Sequence, residues 1–267
     1  MEELLNKICF WFSNYVATFH SYDKQIQEVV AIKAEHTEKV RQISHELATH
    51  LGLAPRDVML AEIIAVLHDV GRFSQFARYR SLIDCKTEDH AMTGLKVIGE
   101  QSFVEEFLPE DRMIIFYAIQ YHNKKSLAFS PNPRALFFAK LLRDADKMDI
   151  YRVLEPYLRP SDGKGISPIF LRNFLAGVQC NYSDCRTEDD KKIIRLMWAY
   201  DINFSWALEK IARQGYFEVI YRNLPHTPEI TQGMQRLVDY VVKKCSQPDR
   251  VNFAELSQEA KQYIVNQ

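Results

Sequence analysis

Apolar residues recur three and four positions apart along most of this 267-residue chain, the spacing of one face of an α-helix. Only 9 glycines and 10 prolines interrupt it, so the periodicity predicts an all-α fold, a helical bundle with extra N- and C-terminal helices. The first helix is predicted through Leu4, Leu5, Ile8, Trp11, Phe12, Tyr15 and Phe19. A second carries Ile32, His36, Val40, Ile43 and Leu47 and ends at Gly52. Pro55 opens a third, which holds Met59, Ile63, Ala65, Val66 and Leu67 and stops near Gly71. Thr87 is the expected cap of a helix with His90, Leu95 and Ile98, and Asp111 that of one with Ile114, Ile115, Ala118, Ile119 and His122. Pro133 opens the next, through Leu136, Ala139, Leu142, Asp146 and Ile150. "RPSDGKGIS", Arg159 to Ser167, is the clearest loop, and three or four aromatic-rich helices are expected beyond it. The expected division is an N-terminal helix over 1–28, a core over 29–158 and a helical extension over 159–267, both flanking parts packed on the core.

Charge narrows the partners. The 34 basic and 35 acidic residues leave a net charge of −1, which gives no electrostatic reason to bind a nucleic-acid polymer or an anionic membrane. No run of about 18 apolar residues is present to span a bilayer. Five scattered cysteines without a CxxC pair fit a reduced protein, expected in the cytoplasm. Phe10, Trp11 and Phe12 are expected in the core or at a homodimer contact.

Against this apolar background a few polar residues stand out. "AVLHDVGRF" ends a buried helical run on His68 and Asp69. Imidazole and carboxylate suit Mn, Fe, Co, Ni or Zn, but a lone His-Asp pair also serves as an ordinary turn cap. His36 has Ile32 and Val40 four residues to either side, His122 follows Ala118 and Ile119, and Asp146 lies between Leu142 and Ile150. Each therefore shares a helix face with core residues. Aspartate is rarely buried unless it is paired or bound to a cation. Three such residues on three helices suggest a site inside a bundle.

In order, His36, "HD" at 68–69 and Asp146 in "DADKMD" resemble the HD superfamily of metal-dependent phosphohydrolases. "EDHAMTGLKVI" and "IQYHN" are similar to the two further histidine segments of members with two metal ions. "HDVGRFSQF", "RYRSLID" and the C-terminal "DINFSWALEKIARQGYFEVIYRNLP" resemble an uncharacterised bacterial subgroup with an HDxGRFxQ motif. The resemblance implies a first divalent ion, which Mg would also fit, on His36, His68, Asp69 and Asp146. It implies a second on His90 and His122, with Asp69 between the two. Asn123 stands where many two-metal members have another histidine.

The implied reaction is hydrolysis of a small phosphate ester, with a nucleotide as the expected substrate, by a metal-activated water. Asp69, Arg72 and Lys147 are the expected catalytic residues, and Arg72, Arg78, Arg80 and Asn123 the expected substrate contacts. Arginine suits this work because its guanidinium grips phosphate with two parallel hydrogen bonds. Two other readings stay open: a di-iron HD-fold oxygenase, which uses a similar set of four His and two Asp, and a non-catalytic binding module.

Overall fold

The computed structural model describes residues 1–249, and among these every regular element is helical. They divide into two compact units, Met1–Asp146 and Lys147–Asp249. The division falls inside one helix, ahead of the Arg159–Ser167 loop at which the sequence suggests a break. Among the described residues no helix is long and apolar enough to cross a membrane.

The first unit holds α1 (Glu2–Ala17), α2 (Lys24–His50), α3 (Pro55–Leu67), α4 (Val70–Tyr79), α5 (His90–Gly99), α6 (Pro109–Tyr121) and the start of α7 (Pro133–Leu154). Asp23 caps α2 by accepting from the amides of Gln25 and Ile26. Helix α3 is the centre of this unit: it buries every residue from Leu60 to Leu67, Glu62 among them. That Glu62 carboxylate is paired with Arg41 and lies 2.8 Å from His45 Nδ1. Phe73 and Phe76 of α4 join Ile26 and Val30 of α2 under Phe12, Tyr15 and Phe19. Phe12 thus packs as expected, whereas Phe10 is 71% exposed because it lies on the outer face of α1.

Four local expectations need correction. Gly71 does not end a helix. It lies in α4, where an added Cβ would stand 2.1 Å from the carbonyl oxygen of His90 and 2.7 Å from the amide nitrogen of Gly94. The glycine is there to let α4 and α5 touch backbone to backbone. Asp89, not Thr87, caps α5. Helix α6 begins at Pro109, and Asp111 is buried in a bidentate pair with Arg56. Beyond the loop come five α-helices among the described residues, not three or four.

These are α8 (Pro168–Ala176), α9 (Glu188–Met197), α10 (Ser205–Arg213), α11 (Tyr216–Arg222) and α12 (Pro228–Cys245), all in the second unit. There Tyr151, buried, donates to the carbonyl of Arg195 and packs its ring against Trp198, Tyr216 and Phe217. The start of α9 is a capping box of Thr187 and Asp190.

Candidate metal centre

The six candidate ligands come from six places in the chain: His36 in α2, His68 just past the end of α3, Asp69 ahead of α4, His90 at the first position of α5, His122 just past the end of α6, and Asp146 in α7. All belong to the first unit. Apart from Asp146, which is partly exposed, each is buried.

They converge on the Asp69 carboxylate, one oxygen to each side. Its Oδ2 lies 3.6 Å from His36 Nε2 and 3.7 Å from His68 Nε2. Its Oδ1 lies 3.2 Å from His90 Nε2 and 3.6 Å from His122 Nε2. Asp146 Oδ1 closes the first group, 3.1 Å from His36 Nε2 and 3.7 Å from His68 Nε2. A carboxylate so placed can serve two cations at once.

The hydrogen bonds fix which ring nitrogens are available. His68 and His122 use the same local device: each follows the last turn of a helix, where carbonyls lack an amide partner. Nδ1 of His68 lies 2.7 Å from Ala65 O, and Nδ1 of His122 lies 2.6 Å from Ile119 O. A carbonyl only accepts, so Nδ1 donates and the neutral ring keeps its lone pair at Nε2. His90 Nδ1 is 2.8 and 2.9 Å from the two oxygens of Asp84 and does the same. Nε2 of His90 and Nε2 of His122 face each other across 2.9 Å, an approach that a shared proton or a bound cation would satisfy. Nε2 of His68 is buried and has no hydrogen-bond partner among the described residues. Such an arrangement could hold a metal ion, and nitrogen with carboxylate oxygen suits a borderline divalent one. His36 with His68 and Asp146, and His68 with Asp69 and His122, each bring their ligand atoms within 4.8 Å of one another.

Electrostatics agree with this. Burial pushes the Asp69 carboxyl up, but Lys33, His68, His122 and His90 together hold it well below the usual carboxylate range. Asp146 is likewise held low by His36 and His68 in spite of its burial. Burial lowers His122 to about 4, against the pull of Asp69, so its ring is neutral and free to ligate.

The expected substrate residues lie in varied surroundings. Arg72 is only 17% exposed, and its Nη1 donates to Gln75 Oε1, Leu82 O and Asp84 Oδ1. Its Nε is 3.6 Å from Asp69 Oδ1. Asn123 donates to Asp84 and Asp89, and its ring neighbour is His90 Nδ1 at 3.4 Å. Arg78 is exposed beside Glu88, and Arg80 ends α4 with a left-handed φ of 53° and pairs with Asp23. Lys147 pairs with Asp201 at 2.7 Å in the second unit.

Three site residues escape a reading of the sequence. Lys33 sets its ammonium 2.7 Å from Asp69 Oδ2. The signal for it was its position one turn before His36. Asp84 holds His90, and it is the closing residue of the "RYRSLID" stretch. Arg143 donates to the carbonyls of Tyr121, His122 and Lys124 and so anchors the end of α6 that carries His122.

Residues 34–151 match the family model described as HD domain. Neither the curated proteins nor the solved structures give a match.

Proposed function

From the match of residues 34–151 to the HD-domain model we propose that the chain is a metal-dependent phosphohydrolase acting on a small phosphate ester, with a nucleotide as the proposed substrate class. One observation carries the reading: the two oxygens of Asp69 face two separate groups of imidazole nitrogens, a set that a divalent cation on each side would satisfy. A divalent ion bound there supplies Lewis acidity, which makes water a better nucleophile and shields charge on phosphoryl oxygens.

The chain's own residues do the rest. Asp69 and Asp146 remain ionised at neutral pH and so supply the negative charge that a cation needs. His68, His90 and His122 are oriented by hydrogen bonds at Nδ1, and all four histidines are buried, so little must reorganise during the reaction. Hydrolysis joins a water oxygen to phosphorus as the bond to the leaving oxygen breaks, and a proton goes to that oxygen. Lys33, 16% exposed beside Asp69, is the cation best placed to offset the charge that builds on the phosphoryl group. Arg72, 17% exposed, is the second candidate for that work.

The test is elemental analysis of the purified protein followed by a phosphate-release screen over nucleotides and sugar phosphates. We expect a bound divalent ion and a release that vanishes in Asp69→Ala. No bound ion, or turnover retained by that variant, overturns the reading. The set of four histidines and two aspartates supports a second reading, a di-iron oxygenase. Oxygen-dependent optical bands after aerobic iron loading, without phosphate release, would select it.

A further inference from the structure

The stretch from Gly71 to Asp84 is more than a signature around His68 and Asp69. Two of its polar residues, Arg72 and Gln75, turn toward one carboxylate, and Asn123 joins them from beyond the end of α6. Arg72 Nη1 donates to Asp84 Oδ1 at 2.8 Å, Gln75 Nε2 to the same oxygen at 3.0 Å, and Asn123 Nδ2 to Oδ2 at 2.9 Å. Gln75 is fully buried, and its amide is further held by Thr87 Oγ1 and the carbonyl of Glu88. The carboxylate that these donors fix accepts from His90 Nδ1 with both oxygens. Gly71 adds the last constraint, because its missing side chain lets the backbone at His90 lie against α4.

We propose that Asp84 is the positioning residue for a second metal ion beside Asp69 Oδ1, and that Arg72, Gln75 and Asn123 form the clamp that holds it. The inference rests on the metal-centre reading alone and not on the reaction. The reasoning is that of a carboxylate–histidine–metal relay. Asp84 fixes the His90 tautomer, so Nε2 always presents a lone pair toward Asp69 and His122. Without it the ring can turn or take the other tautomer, and the second position loses a ligand. The first position needs His36, His68 and Asp146, and none of these touches Asp84 in any contact described above. Arg72 contributes to this position through the Nη1 hydrogen bond that it gives Asp84.

The experiment is a calorimetric titration of the full chain with Mn²⁺, comparing wild type with Asp84→Ala, Asp84→Glu and Arg72→Met. Wild type should bind two ions. Asp84→Ala should weaken one of them about 10–100-fold and leave the other unchanged. Asp84→Glu should restore part of the loss, which a merely structural role would not give. Arg72→Met should weaken the same ion to a lesser degree, and it carries the test if Asp84→Ala does not fold. A wild type that binds one ion, an Asp84→Ala variant that keeps both affinities, or one that loses both equally would each overturn the proposal. If Arg72→Met keeps its ions but binds inorganic phosphate more weakly, the Arg72 part of the clamp fails. Failure of the hydrolase reading would show separately, in the phosphate-release screen, with the ion count unaffected.

Discussion

Both units bury carboxylates, and they do opposite things with them. In the second unit Asp190 is fully buried and accepts from the amides of Ser167, Arg186 and Thr187 and from the Ser167 hydroxyl. Its neighbour Asp189 accepts from Ser161 Oγ and from the buried Lys192 ammonium, which also donates to Asn223 O. These acids are saturated by donors and have nothing left to offer. In the first unit Asp69 and Asp146 sit among imidazole nitrogens that present lone pairs, and Lys33 is the one ammonium in hydrogen-bond contact with Asp69 among the described residues. Asp69 is buried like Asp189 and Asp190, and Asp146 is partly exposed. What separates a structural acid from a candidate metal ligand is whether its neighbours complete it.

The comparison is broken most directly by removing one acid from each side. Asp69→Ala should lower turnover at least about a thousandfold, more than 4 kcal/mol in the barrier, and abolish ion binding while the far-ultraviolet helical signal persists. Asp190→Ala should do the reverse. It leaves several buried donors without an acceptor, so unfolding free energy should drop by about 3 kcal/mol. Ion content per folded molecule should stay at the wild-type value. An Asp190 variant that lost its metal, or an Asp69 variant that kept turnover, would erase the distinction.

Chelation sharpens it further. An ion present at a hundred times its dissociation constant stabilises the folded state by about 2.7 kcal/mol. Its removal should speed amide exchange in α2, α3 and α6, which carry or adjoin His36, His68 and His122. Amides of α9 in the second unit should exchange as before. Hydrogen exchange read by mass spectrometry, with and without a chelator, decides this, and an equal response of both units would contradict it.

How much of this was legible in the sequence follows from the same contrast. His36 and Asp146 were readable because each interrupts an apolar helical face, and periodicity reports such interruptions well. His68 and His122 were readable for the same reason, although both lie one residue past the last helical turn. Asp84 was not, because it sits in a short 3₁₀ turn over Asp84–Lys86 where no period exists to be broken. Gly71 was misread as a stop, because a glycine that ends a helix and one that permits close packing look alike until the partner backbone is known. Asp111 and Thr87 show the limit for caps: several polar residues compete near each helix start, and tertiary partners such as Arg56 decide among them. Lys33 was hidden by statistics, since most lysines on a long helix are solvated.

Lys33 also supplies the smallest effect that still tests the comparison. Its ammonium lies 2.7 Å from Asp69 Oδ2, and the two groups are 16% and 4% exposed. Lys33→Met keeps most of the length of the side chain and removes the charge. If Lys33 were a structural donor of the kind that saturates Asp189, the variant should lose stability and bind metal less well. If the site is built for a cation, the variant should bind Mn²⁺ as tightly as wild type or more so, because a competitor for Asp69 Oδ2 is gone. Inorganic phosphate should at the same time bind the loaded protein about tenfold more weakly, some 1.4 kcal/mol, for want of a charge at the rim. Paired titrations of metal and phosphate distinguish the two cases. Weaker metal binding with unchanged phosphate affinity would place Lys33 with the structural pairs of the second unit.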